Sequence, residues 1–376
     1  MKPVIVKLMI FTVLFLGVFV QGIADTVSMN PAVQRIDSIL SQSDSIEKMG
    51  GGGAFILFDK EQVYLSKAYG DFSLDKVVSI ASATKWISAG VIVKLHEDGY
   101  FDIHDIVRKY YPEYQDGKGD MTIAQLFSHT GGLYDKPNIQ RMYRLPSIDI
   151  AVHLIYKLVD QIFSPGTVIH YAGVGMQIGG GIAERTYKKP WGEIFFDTLG
   201  DSLEMTSTYY SVSTEGDDIR KRGSIDDAGN PNVAGGIRTN ALDYSKFVRM
   251  LYNNGIYKGR RILSEESIQI LFSDLSRGFA VSKTPFEPYL DTVPKLAYMD
   301  TGMGSWLLEK NQQVVFITSP GAWGCMPFID FEHDIAGVFL PFNTGAPVDP
   351  EMESGENPAT RLFFETLLPL VSAIKP

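Results

Sequence analysis

The sequence predicts a mixed fold, α/β in broad class and α+β in arrangement: an antiparallel sheet built from both chain ends and flanked by helices, plus a mostly helical subdomain. Three observations carry this. Two strand-like stretches come early, within residues 54–66; three more come late, within residues 304–341; and between about 103 and 210 the pattern is mostly helical. Strands from opposite ends that pair in one sheet, with helices on the faces, bury both sets economically.

Residues 1–24 read as a secretory signal peptide. Lys2 and Lys7 give a positive start, residues 8–20 are apolar apart from Thr12 and Gly17, and Gly22-Ile23-Ala24 offers small residues for cleavage. That run is shorter than the roughly 20 residues needed to span a bilayer. The chain is expected to be exported, periplasmic or secreted, with no membrane span once the leader is removed. Its single cysteine, Cys325, excludes an intrachain disulfide.

Residues 25–376 then form the folded domain, long enough for two subdomains around a cleft. The sheet part is expected over about 25–98 and 235–376, the helical part over about 99–234. Residues 25–49 carry Val33, Ile36, Ile39 and Leu40 on one side of a leading helix, which the run Gly50 to Gly53 breaks. Residues 54–58 and 62–66 read as strands joined by Asp59-Lys60-Glu61. A very apolar helix follows and stops near Gly99. In the helical block Pro112, Pro146, Pro165 and Pro190 act as punctuation. Further helices are expected over 241–254, 264–274 and 359–374, and late strands over 304–309, 314–319 and 335–341.

The apolar helix opens with Ser82-Ala83-Thr84-Lys85. Positions i and i+3 share a helix face, so the Lys85 amine stands beside the Ser82 hydroxyl. A serine hydroxyl is a poor nucleophile until a base takes its proton, and a desolvated lysine amine can serve. The same spacing also fits a capping serine followed by a surface lysine. Ser-x-x-Lys recurs at Ser45 to Lys48, Ser73 to Lys76 and Ser372 to Lys375, but those lie in a polar helix end, a polar loop and the C-terminus. Only Ser82 opens a segment where burial shields a reacting pair from water.

Five landmarks, in order, give the chain its resemblance: Ile80-Ala81-Ser82-Ala83-Thr84-Lys85-Trp86; Leu126-Phe127-Ser128-His129-Thr130-Gly131-Gly132-Leu133; Ser164-Pro165-Gly166-Thr167 with His170-Tyr171; Gly235-Gly236-Ile237-Arg238-Thr239; and Ser319-Pro320-Gly321-Ala322. With these the mature sequence resembles, over nearly all its length, the serine beta-lactamase-related hydrolases. That group includes class C beta-lactamases, penicillin-binding-type DD-peptidases and carboxylesterases of the same fold.

The resemblance implies acyl transfer through an acyl-enzyme on Ser82, with Lys85 and Tyr171 sharing the proton. It implies backbone N–H donors at Ser82 and Ala322 for the oxyanion, with Ser319 and Gly321 beside the substrate. Two of the family's three active-site elements depart from pattern. Tyr-x-Asn has become Tyr171-Ala172-Gly173, and the usual Lys-Thr-Gly or His-x-Gly has become Ser319-Pro320-Gly321. A lysine or histidine there would bind the carboxylate of a beta-lactam or peptide end, and charge-assisted bonds are roughly twice as strong as neutral ones. Its loss favours a neutral ester, unless Arg238 restores a charge from another side.

Two imitations are set aside. Tyr252-Asn253-Asn254 ends a helix just before Gly255. Lys283-Thr284-Pro285 has proline where glycine is needed and lies in a Pro-rich stretch unlike a core strand. His129 reads as a structural turn residue, and His170 points away from Tyr171 if both share a strand. The chain has no Gly-x-Ser-x-Gly elbow, no metal-ligand histidine spacing and no phosphate-binding glycine loop. No cofactor or metal is expected. A formal charge of −10 without a basic block argues against nucleic acid. The expected partner is a small-molecule ester or peptide. The alternatives to an esterase are a D-amino-acid or cell-wall peptidase or amidase, a weak beta-lactamase, and a non-catalytic binding protein of the same fold.

Overall fold

The computed structural model describes residues 30–135, 145–211, 229–342 and 356–375. The proposed leader, residues 1–24, lies outside them.

The leading helical region is two helices, α1 (Pro31–Leu40) and α2 (Ser43–Lys48). Asn30 caps α1 by accepting from Ala32 N, with Pro31 in the first turn, where a missing N–H costs nothing. The single helix expected over 25–49 breaks at Ser41, whose N–H and hydroxyl both bond back to the Asp37 carbonyl. The early strands are β1 (Gly52–Phe58) and β2 (Val63–Gly70), longer than expected at opposite ends. Then come β3 (Val78–Ser79), a 3₁₀ turn at Ala81–Ala83 and α3 (Thr84–Glu97).

The middle block holds α4 (Ile123–Phe127), α5 (Ile148–Leu158), β4 (Val168–His170), α6 (Val174–Tyr187), α7 (Trp191–Phe195), which continues as a π turn over Phe196–Gly200, and β5 (Tyr209–Tyr210). After it come β6 (Ile237–Thr239), α8 (Ala241–Tyr252), the ribbon β7 (Ile256–Tyr257) and β8 (Arg260–Arg261), and α9 (Glu265–Phe272). The chain closes with β9 (Ala280–Lys283), β10 (Asp300–Thr301), β11 (Trp306–Lys310), β12 (Gln313–Thr318), β13 (Met326–Asp330), β14 (Ile335–Pro341), α10 (Pro358–Leu362), a π turn over Phe363–Leu367 and α11 (Leu368–Ser372).

Seven strands form one antiparallel sheet in the order β10-β11-β12-β13-β14-β1-β2. The early pair therefore joins the late strands through β1 and β14, as the two-ended pattern predicts, with Phe55 opposite Phe339. Both strands are buried at every residue, so each face has a helical cover. Phe55, Phe328 and Phe339 pack on one face against Phe363 of the C-terminal helix and against α1. Ala54, Ile56, Phe58 and Val338 face the other way, in an apolar cluster that runs through α3 and α8 into the helices of the middle block.

Strand β13 was not expected. Pro327 disguises it, because proline is rare inside a sheet. Its pairs with β12 begin at Phe328, so the missing N–H removes no bond from that side, and its carbonyl accepts from Thr318 Oγ1 at 2.8 Å.

Candidate active site

Helix α3 is buried on all sides as far as Val93, and between residues 80 and 93 Ser82 alone is not buried. It stands in the 3₁₀ turn just ahead of the helix, after Ala81 in the left-handed region at φ 45°. A non-glycine residue held there stores strain of about 1–3 kcal/mol, common at functional turns. The turn is fixed from below: Ile80 N donates to Ile237 O, Thr84 Oγ1 accepts from Ile237 N at 3.0 Å, and Tyr244 donates to Ala83 O at 2.5 Å.

The spacing of Ser82 and Lys85 does what the sequence predicts. Lys85 Nζ donates to Ser82 Oγ at 2.9 Å and to the Ala234 carbonyl at 2.7 Å, and the lysine is 5% exposed. Tyr171 comes to the same oxygen from the middle block, its hydroxyl 2.7 Å from Ser82 Oγ. Ser82, Lys85 and Tyr171 are thus in mutual contact, and Lys85 Nζ lies 5.0 Å from the Tyr171 ring centroid.

Several backbone clamps hold Tyr171. Its N–H donates to Lys283 O at 3.1 Å, because β4 runs parallel to β9. Lys283 thus ends a strand of a two-stranded ribbon outside the main sheet, with Thr284 and Pro285 just beyond it, and it supports Tyr171 through its main-chain carbonyl. On either side, His170 N donates to His129 O at 2.9 Å and the His129 ring bonds Ala172 O through Nδ1 at 3.0 Å. His129 is a turn residue, at φ 59°, with its ring packed against those of Tyr171 and Trp306, which also touch each other. Burial, then the nearby Lys85 charge, pulls its pKa down to about 3, so it is neutral at pH 7. His170 turns instead to Ser282, Tyr134 and Phe163.

Gly173, at the place of the family's asparagine, heads α6. Its N–H and that of Val174 donate to the Asp135 carboxylate at 2.7 and 3.2 Å. Sequence reasoning missed Asp135, which lies two residues past the Leu133 landmark. It also missed Ala234, which contributes only a carbonyl and so leaves no residue-type signal beyond its place before Gly235-Gly236.

The last landmark forms the turn between β12 and β13. A Cβ on Gly321 would fall 2.1 Å from Ile80 O and 3.3 Å from Ala83 N, so only glycine lets this turn lie against the Ser82 turn. Gly321 N donates to Cys325 O and Gly324 N donates to Gly321 O, both at 2.8 Å. Gly321 O shares its trans peptide with Ala322 N, so fixing one aims the other in the opposite direction. Ala322 is exposed. Ser319 differs from its expected place beside the substrate. It is 2% exposed, and its hydroxyl donates to Gly304 O at 2.8 Å, bracing Gly304 against Lys85 O. Arg238 stands on β6 opposite Ser79 and Tyr209, and its Nε is buried without a hydrogen-bond partner. Tyr252-Asn253-Asn254 ends α8, with Asn254 and Gly255 at positive φ. Among the described residues no group of three or more His, Cys, Asp or Glu side chains is placed to hold a metal.

A Ser-x-x-Lys pair at a helix start, a tyrosine from a helical block and a glycine turn at a sheet strand define the architecture of the beta-lactamase-fold serine hydrolases. The chain belongs to the Beta-lactamase family, whose sequence profile matches residues 44–353. It is 28% identical to a solved structure titled "putative beta-lactamase from Bacteroides dorei DSM 17855", with a TM-score of 0.73 over 90% of this chain and 98% of that one. EstCE1, described as a hydrolase with promiscuous acyltransferase activity, shares the fold at 16% identity and TM-score 0.64, over 88% and 99% of the two chains. Uncharacterized protein MT1414 of Mycobacterium tuberculosis (strain CDC 1551 / Oshkosh) is 26% identical over 243 residues, which are 53% of this chain and 60% of that protein.

Proposed function

We propose that this protein is an exported carboxylesterase-like serine hydrolase that forms an acyl-enzyme on Ser82. The observation that carries the reading is the convergence of Lys85 Nζ and Tyr171 OH on the oxygen of one half-buried serine. In the attack, Ser82 Oγ bonds to the ester carbonyl carbon as its proton passes to Lys85 or Tyr171. The Ala234 carbonyl accepts a second Lys85 N–H, which holds Nζ against Ser82. Collapse of the tetrahedral intermediate breaks the bond to the alkoxide, which leaves with that proton. Water then bonds to the acyl carbon as it loses a proton to the same pair, the acyl–Ser82 Oγ bond breaks, Ser82 Oγ takes that proton back and the acid leaves. The Ser82 and Ala322 N–H groups receive the oxyanion. The Ser82 N–H suits the part because it precedes the first bond of its turn, Ala83 N to Ile80 O.

Three features favour a neutral ester over a carboxylate-bearing beta-lactam or peptide end. No cation stands at Ser319, whose hydroxyl is turned inward; Gly173 offers no side-chain amide; and the Asp135 carboxylate beside it repels an anion. Short-chain p-nitrophenyl esters should therefore turn over and nitrocefin should not. A nitrocefin kcat/KM above that of the best neutral ester overturns this reading in favour of the carboxylate-binding alternatives, with Arg238 as the cation.

A further inference from the structure

Asn357 caps α10, and its side chain also reaches the turn that carries Ala322. Its Oδ1 accepts from Ala359 N at 2.9 Å and Thr360 N at 3.2 Å, while its Nδ2 donates to the Ala322 carbonyl at 2.9 Å. Its own N–H donates to the Tyr289 hydroxyl at 2.8 Å, and the residue is 2% exposed. Gly324, at φ 85°, brings the turn so close that a Cβ there would lie 3.0 Å from Asn357 Oδ1. The peptide before Ala322 is clamped by Gly324 N–H on Gly321 O, and the peptide after it by Asn357. The peptide planes on both sides of the Ala322 Cα are thus held, although Ala322 itself is exposed.

We infer that Asn357 is a positioning residue for the oxyanion donor. The inference rests on the acyl-transfer reading above and adds that the C-terminal helix sets the aim of the Ala322 N–H. A preorganised donor is worth far more than one that must reorient during reaction. The cap and the clamp use different atoms of one amide, so they can be separated. Aspartate keeps the Oδ1 acceptor and suits a helix N-terminus, but it has no hydrogen to give Ala322 O. Serine also caps well and is too short to reach.

The test compares an ester with its thionoester, whose C=S sulfur accepts hydrogen bonds weakly. Wild type should prefer the oxo substrate by a large factor. Asn357→Asp should keep KM within about twofold, lower kcat on the oxo ester at least tenfold, and shrink the oxo/thiono ratio, with thermal stability close to wild type. Asn357→Ser should do the same, and it decides the matter if the aspartate variant does not fold. A wild-type oxo/thiono ratio in either folded variant overturns the inference. Absence of any oxo preference in wild type would instead overturn the oxyanion assignment itself.

Discussion

At the residue scale, Ser82 is half-buried while every other residue from 80 to 93 is buried, which singles it out for labelling. A fluorophosphonate probe should label the protein covalently, and Ser82→Ala should abolish the label; equal labelling of the variant would reject the assignment. Lys85 and Tyr171 share one oxygen, and groups that act as a unit give strongly non-additive losses. The double variant Lys85→Ala, Tyr171→Phe should be scarcely worse in kcat/KM than the poorer single one, and multiplicative losses would count against shared activation. His129 makes a different prediction. Its folded-state pKa, about 3, lies below the 6.5 of a free histidine, so the unfolded chain binds its proton first. Its contribution to stability is complete above about pH 6.5 and is lost as pH falls toward 3, with a slope of at most about 1.4 kcal/mol per pH unit. Urea unfolding at pH 6.5 and pH 4 should show a smaller drop for His129→Asn than for wild type.

At the scale of elements, the site depends on two turns in backbone contact. Because a Cβ on Gly321 would meet Ile80 O at 2.1 Å, Gly321→Ala must part the 321–325 turn from the Ser82 turn. Losing one oxyanion donor costs about 3 kcal/mol in the transition state. Turnover of a p-nitrophenyl ester should fall roughly a hundredfold or more, and a fall under threefold would place the donor elsewhere. These elements were unequally legible in the sequence. The Ser82–Lys85 pair is local, so its spacing alone placed the amine beside the hydroxyl. Tyr171, Ala322 and Gly321 were visible only through the resemblance, since nothing local ties them to residue 82. Ser319 was misplaced because residue type does not tell which way a hydroxyl points; its donor goes to Gly304. Ala234 and Asn357 act through a carbonyl and a cap, signals that any helix or loop can carry. Strand β13 hid behind Pro327, and the π turn at Phe363–Leu367 left the 359–374 helix looking regular.

At the scale of the molecule, the sheet joins opposite ends of the chain, as the order of its strand-like stretches predicted. The helical block supplies Tyr171 and the sheet supplies Gly321 and Ala322, so the reacting groups meet only once both are packed on α3. The proposed leader adds an independent prediction. Protein recovered from an exporting host should begin near Asp25, as read by N-terminal sequencing, and an intact Met1 on the exported form would count against cleavage.

The pairing of Ala54 with Leu340 sets a timetable for biosynthesis. A ribosome has already delivered β1 and β2 when hundreds of residues, including the partner strand β14, are still to be made. Throughout that interval β1 presents an apolar edge with no mate on one side, the kind of edge that templates aggregation. Contacts so distant along a chain also close slowly. Under the proposed export that delay would be useful, because the chain would reach the membrane before its sheet could close. Chains truncated before residue 335 should consequently accumulate as insoluble or chaperone-bound species, while full-length chains close their sheet and become protease-resistant.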